Sequence, residues 1–262
     1  MVRGLAHVGV IDALEQASLR PDFLAGTSAG AIIAVTYAAG LSVQVVRQLA
    51  QKIRWRMIVT PVFPLRGLVS LERLSRWLIR HLGDLEFQDL KIPCSVVATD
   101  IETGERVVID QGRVAPAVQA SCSVPGFIAP VLVKGRWLCD GGLTDMLPVS
   151  VLRRMGAEYV IGVDIFEFHL RRRLGPLGYL WAGQEILLER AGGGIEQANL
   201  LIAPQLQGET YVRFSKRERL FELGRQAALE KIPQILKDTQ FQPGAALAQT
   251  CVEAPKVFEM RS

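Results

Sequence analysis

Cysteine is scarce in this sequence and histidine scarcer. Cys94, Cys122, Cys139 and Cys251 are scattered through 262 residues with neither paired nor metal-ligand spacing. No disulfide framework and no metal site are expected, and reduced thiols suit a cytoplasmic protein. His7, His81 and His169 are the only histidines. Charge of one sign is also in short supply: 30 Lys and Arg face 26 Asp and Glu, a net of +4. Small basic clusters at 171–173, at 216–219 and around Lys52, Arg54 and Arg56 fit solvated faces or an anionic lipid surface, and without interleaved aromatics they do not argue for nucleic acid. The opening, MVRGLAHVGV, lacks the layout of a signal peptide. The longest apolar run, from Phe23 to about Val46, is interrupted by Gly26, Gly30 and Gly40 and by Thr27, Ser28 and Thr36, so a strand, turn and helix explain it better than a membrane span.

Apolar residues are plentiful. At 49% hydrophobic and 21% charged, the chain can bury one large core, and its length suits one α/β domain. Apolar spacing predicts a helix over 5–17, a strand over 22–25, a small-residue helix from Ser28 to Ala39 and a second helix over 43–53. A proline-rich loop at 60–67 precedes a helix over 71–81, with Ser70 as its N-cap. CSVVATDI and ERVVID read as strands joined at Glu102-Thr103-Gly104, where Asp100 and Glu102 are structural turn residues. A short helix near 115–121 follows. VLVKGRWLCDGG reads as a hairpin turning at Lys134-Gly135. Pro148 starts a helix to about Met155, EYVIGVDI is a buried strand, and strands near 199–203 and 210–214 lead to a helix over 217–237. Such alternation predicts a mostly parallel or mixed sheet covered on both faces, with reactive groups at strand ends. The domain is expected over 1–240, with a candidate cap segment at 166–198 and a C-terminal tail at 241–262. Leu177, Leu180 and Trp181 are weighed as an apolar cap lip, with core packing the default.

Within FLAGTSAGAII, Ser28 stands between Gly26 and Gly30 where the strand turns into the helix. A nucleophile at such a turn is held in a strained backbone, small neighbours admit a carbonyl, and the new helix aims its N–H groups at developing negative charge. The pentapeptide alone is a weak signal; a packing serine at a helix start is the plainer alternative. A hydroxyl also needs a base. His7 and His81 fall inside predicted helices and His169 opens a basic run, so a Ser-His-Asp triad finds no histidine in a suitable loop. Asp140, at a strand end before Gly141 and Gly142, offers another base, provided partial desolvation raises its proton affinity; a turn aspartate bonding its own backbone is the alternative. Cys122, without a histidine partner, reads as a small buried residue.

RGLAHVGVIDALE, DFLAGTSAGAIIA, ATDIETGE, QASCSVPGF and DGGLTDMLPVSVLRRMGAEYVIGVDI, in this order, resemble the patatin-like phospholipase family, in particular its bacterial and neuropathy-target-esterase-like branch. The resemblance covers residues 3 to 165 closely, and LFELGRQAALEKIP resembles that branch's final helix. It implies a three-layer patatin-like α/β fold with a mostly parallel or mixed central sheet flanked by helices. It also implies a serine esterase acting on lipid acyl esters, with Ser28 as nucleophile, Asp140 as proton acceptor, Gly26 and Gly30 supporting the elbow, Gly141 and Gly142 supporting the aspartate turn, and no metal or cofactor. Peripheral membrane contact would follow from a lipid substrate. Relatives of this kind carry a strand and several glycines ahead of the residues matching Arg3 and Gly4, in a loop whose N–H groups stabilise the oxyanion. The sequence begins inside that loop, and one missing donor costs about 3 kcal/mol of barrier. Two expectations follow: a polypeptide that starts further upstream, or a catalytically weakened lipid-binding or membrane-associated regulatory homologue.

Overall fold

The computed structural model describes residues 3–63, 65–166, 175–191, 195–206 and 217–240. His169, the arginines at 171–173, the glycines at 192–194, the strand expected over 210–214 and the tail at 241–262 lie outside the described residues, as do the side chains of Leu177, Leu180 and Trp181.

The chain opens with α1 (Gly4–Gln16). The apolar run that might have spanned a membrane becomes β1 (Leu24–Thr27), α2 (Ala29–Ala38) and α3 (Val43–Lys52). Among the described residues no helix is long and apolar enough to cross a membrane. A single-turn helix α4 (Trp55–Ile58) precedes the stretch expected as a loop over 60–67, which is instead framed by a two-stranded hairpin, β2 (Thr60–Pro61) and β3 (Val69–Ser70). The next helix, α5, runs from Glu72 to Leu82; the Ser70 hydroxyl accepts the Glu72 N–H at 3.1 Å, although the N-cap position itself falls on Leu71.

Among the described residues five strands make the central sheet. They are β1, β4 (Cys94–Asp100), β5 (Arg106–Ile109), β6 (Val131–Val133) and β7 (Arg136–Asp140), with α6 (Val114–Ser121) between β5 and β6. The sheet is mixed: β1 pairs in parallel with β4, whereas β5 and β7 pair antiparallel with β4, and β6 antiparallel with β7. Strand β4 is buried along its whole length, as its unbroken apolar pattern requires. The β6–β7 hairpin turns through Lys134 at φ 48° and Gly135 at φ 80°, two left-handed residues of the kind a tight hairpin needs. Beyond the sheet come α7 (Val149–Arg154), β8 (Ile161–Val163), α8 (Gly175–Arg190), β9 (Leu200–Ile202) and α9 (Arg217–Thr239). Strands β8 and β9 form a separate parallel pair.

The main core lies between the sheet and α2, α5 and α6, with Ala31, Val35, Leu74, Leu78, Val96, Ala98 and Val118 essentially inaccessible. Helix α1 packs against α9 with unusual closeness. A Cβ on Gly9 would lie 2.0 Å from the Phe221 carbonyl oxygen, and one on Gly224 would lie 2.0 Å from that of Ala6, so neither helix admits a side chain at the crossing. The contact is flanked by the Arg225 guanidinium, which donates to Asp12 at 3.1 Å and to Gln16 at 2.8 Å.

Candidate active site

Strand β4 acts as a ruler for the site. Its residues Val96 and Val97 pair with both β1 and β5, and Ala98 and Thr99 pair with both β5 and β7. A strand has two hydrogen-bonding edges, so β1 and β7 must share the edge opposite β5 and meet there end to end. Strand β1 stops at Thr27, opposite Val97, and β7, running the other way, stops at Asp140, opposite Ala98. The residue after Thr27 is Ser28. Two positions far apart in sequence are thus delivered to adjacent rungs of one strand.

Ser28 sits at φ 51° and ψ −118°, in backbone space that non-glycine residues rarely occupy. The turn is held from below by one segment. The Ser121 hydroxyl accepts the Ser28 N–H at 2.9 Å and donates to the Val97 carbonyl at 2.6 Å, and the Cys122 thiol donates to the Ser28 carbonyl at 3.2 Å. Gly26 permits the sharp return of the chain, because a Cβ there would lie 2.6 Å from the backbone of Gly30. Gly30 is under no such constraint; a Cβ would meet only the His7 Nε2, at 3.6 Å.

Asp140 is 5% exposed. Its N–H donates to the Ser123 carbonyl at 2.9 Å, so residues 121–123 brace both halves of the pair. Burial pushes its carboxyl up to about 6, against the pull of two donors to the carboxylate: the Gly142 N–H at 2.9 Å and the Ser28 side chain. That direction is the one a carboxylate base working near neutral pH requires. Gly141 lets the turn lie on the sheet, since a Cβ would fall 2.2 Å from the Val97 carbonyl oxygen. At Gly142 the atoms nearest to an added Cβ belong to side chains, those of Leu188 of α8, Asp140 and Met146.

Two helix N termini converge here. Arg3, 1% exposed, is the N-cap residue of α1, and Gly4 packs over Ala29, the first residue of α2. Helix geometry leaves the first two N–H groups of each, Gly4 and Leu5 and then Ala29 and Gly30, without intrahelical acceptors, which makes the junction electropositive. From Gly4 and Ala29 a narrow apolar crevice, with a cavity of about 20 Å³, extends between α2 and α3, lined by Ile32, Ile33, Val46, Leu49 and Ile53 with Trp77 of α5.

Of the other candidates, His81 and Asp100 fall elsewhere, whereas His7 and Cys122 lie against the Ser28 turn. His81 is exposed on α5, its Nδ1 2.8 Å from the Trp77 carbonyl, and burial drives the His7 imidazole down to about 4. Cys122 is buried and its thiol is pushed up by desolvation, which suits its structural bond to Ser28. Asp100 accepts from Arg136 and from the N–H groups of Glu102 and Thr103, closing the β4–β5 turn. Among the described residues no group of three His, Cys, Asp or Glu side chains is placed to hold a metal ion.

Sequence reasoning passed over Asp145. Its carbonyl accepts the Thr27 hydroxyl at 2.8 Å, and its buried carboxylate is anchored by Arg106 at 2.6 Å, tying the aspartate turn to the residue before Ser28. The second aspartate of DGGLTD was the available signal. It went unused because nothing in the spacing says which backbone it faces.

A sequence profile described as patatin-like phospholipase matches residues 1–153. An uncharacterized NTE family protein of Mycobacterium tuberculosis is 33% identical over 166 residues, 62% of this chain and 46% of that one. Lysophospholipase NTE1 of Lodderomyces elongisporus is 30% identical over 169 residues, 62% of this chain and 12% of that one. The chain therefore spans less than half the length of these relatives. In three dimensions it is similar to VipD from Legionella pneumophila, with a TM-score of 0.59 over 89% of this chain and 65% of that one, at 15% identity, a likeness of fold alone. With more than half of its length matched by the profile and the fold shared, the chain belongs to the patatin-like phospholipase family.

Proposed function

We propose that this protein is a serine esterase that cleaves the carboxylic ester bonds of lipids through a Ser28–Asp140 dyad. The observation that carries the reading is the meeting of a strained serine and a desolvated aspartate at adjacent rungs of β4. Asp140 takes the hydroxyl proton as Ser28 Oγ attacks the ester carbonyl. The tetrahedral intermediate then expels the alcohol, which leaves with that proton. Water, deprotonated by the same carboxylate, attacks the acyl-serine, and the fatty acid departs as Ser28 regains its proton. The N–H groups at the starts of α1 and α2 are the donors available to the oxyanion. The acyl chain is assigned to the crevice that begins at Gly4 and Ala29, whose apolar lining suits hydrocarbon and whose cavity of about 20 Å³ must widen to admit it. The lysophospholipase name of one relative supports an acyl-lipid substrate.

The test is labelling of the folded protein with a fluorophosphonate, read by peptide mass, beside hydrolysis of a p-nitrophenyl acyl ester. Modification at Ser28, lost with turnover in Ser28→Ala, is the expected result. Well-folded protein that takes no label would instead favour a lipid binder without catalysis.

A further inference from the structure

Among the described residues, the two most exposed large apolar side chains stand on one hairpin. The β2–β3 hairpin carries Phe63 and Leu65 at 79% and 83% exposure, with Leu68 at 57% and Met57 at 42% nearby in the chain. A solvated surface rarely leaves such residues together without a use for them. The hairpin is anchored. The N–H groups of Leu68 and Val69 donate to the Phe127 carbonyl at 2.9 and 3.1 Å, and the Ala129 N–H returns to Val69 at 2.8 Å. The Arg66 guanidinium lies 3.9 Å over the Trp137 ring, and the cross-strand neighbour of Trp137 is the exposed Leu132, which extends the apolar face.

Charge says what this face meets. Between Gln51 and Leu82 the sequence places seven Lys and Arg residues against a single acid, Glu72. Arg54, Arg56, Arg66, Arg73 and Arg76 are exposed. Bare apolar tips in a segment whose exposed charges are almost all guanidinium groups complement an anionic bilayer, whose phosphates lie above hydrocarbon. The position is also informative, because Ile53 and Trp77, at either end of this segment, line the apolar crevice with Gly4 and Ala29.

We propose that the β2–β3 hairpin docks the protein on anionic phospholipid bilayers, with Phe63, Leu65 and Leu68 entering the interfacial zone while the surrounding arginines hold headgroup phosphates. Its purpose, bringing the crevice to its substrate, rests on the lipid-esterase reading. Docking itself is measurable without catalysis.

The experiment is co-sedimentation of the full chain with vesicles of phosphatidylcholine alone or mixed with phosphatidylglycerol. Binding is expected to the mixed vesicles, weaker to phosphatidylcholine, and falling with salt. Phe63→Asp with Leu65→Asp is expected to lower partitioning at least about tenfold. Arg54→Gln with Arg56→Gln should lower it roughly tenfold and flatten its salt dependence. Neither pair touches the dyad, so hydrolysis of a soluble short-chain p-nitrophenyl ester should stay at the level of the unsubstituted protein. Wild-type protein left in the supernatant with mixed vesicles overturns the proposal, and so does an aspartate pair that binds as well as wild type. Failure of the dyad would appear as missing fluorophosphonate label while vesicle binding persists, so the two failures are distinguishable.

Discussion

Helix α1 serves two regions built on opposite terms. Along its length it crosses α9 so closely that Gly9 and Gly224 are the only side chains that fit, and no residue of either helix has a left-handed backbone. At its first turn it joins a site where a serine is forced to φ 51° and a carboxylate is buried at 5% exposure. One region is packed to satisfaction. The other carries backbone strain and an unfavourable charge, which persist only because their surroundings over-determine them.

The sharpest way to break that comparison is Gly9→Ala. The added carbon would lie 2.0 Å from the Phe221 carbonyl oxygen and 2.8 Å from the Arg225 nitrogen, both backbone atoms that cannot turn aside. Separating the helices should cost more than about 4 kcal/mol, at the extreme of single substitutions. Chemical denaturation would read it directly, and a loss under about 1 kcal/mol would mean that the crossing is not close-packed.

Asp140→Asn should act in two directions. Turnover of a p-nitrophenyl ester is expected to fall by roughly a thousandfold or more, since an amide cannot take the proton. Stability should rise. The native carboxyl holds its proton up to about pH 6, whereas its ordinary value is 3.8. Between those values the folded state binds more protons than the unfolded one, so this group's contribution declines as pH rises through the window, by on the order of 3 kcal/mol in full. The asparagine protein should therefore be the more stable above pH 6, with the gap closing towards pH 4. His7 works in the opposite sense: held down to about 4, it favours the fold at neutral pH and withdraws that support as pH falls from 6.5 towards 4. Comparing the two proteins across pH cancels the histidine and isolates the aspartate. In the wild-type protein the proposed dyad predicts a kcat/KM that falls about tenfold per unit below pH 6.

Ser28→Gly tests the strain itself. Glycine adopts φ 51° without a Cβ penalty, so the fold should gain about 1–2 kcal/mol while the fluorophosphonate label disappears. A variant no more stable than wild type would show that the bonds from Ser121 and Cys122, and not the side chain, set the turn.

Local chemistry made part of this legible from the sequence. The turn of FLAGTSAGAII, the Lys134-Gly135 hairpin and the long final helix are each specified by residues within one element. The unreadable parts depend on pairing across the chain. That β4 carries β1 and β7 on one edge is a matter of register between segments 70 and 42 positions apart, measured from Leu24 to Cys94 and from Ala98 to Asp140. No periodicity records it. For the same reason Cys122 reads from QASCSVPGF only as a small buried residue, while the structure makes Ser121, Cys122 and Ser123 the brace of the pair, with partners 93 and 94 residues back and 17 ahead. The place of α8 against Gly142 was equally hidden, because its sequence has no clear apolar face.

The smallest effect is expected at Gly30, and it separates the two kinds of region most cleanly. Gly9 and Gly26 are bare because backbone occupies the space, but at Gly30 a Cβ would touch only the His7 Nε2, at an ordinary contact distance of 3.6 Å. Gly30 also lies in the first turn of α2, where alanine is the better helix former by up to about 1 kcal/mol. Gly30→Ala should therefore leave the melting temperature unchanged or slightly higher. If labelling of Ser28 slows in that stable protein, the missing side chain serves the approach of the substrate carbonyl; if stability falls instead, the glycine belongs with Gly9 as a packing residue and the motif's second glycine has no part in the chemistry.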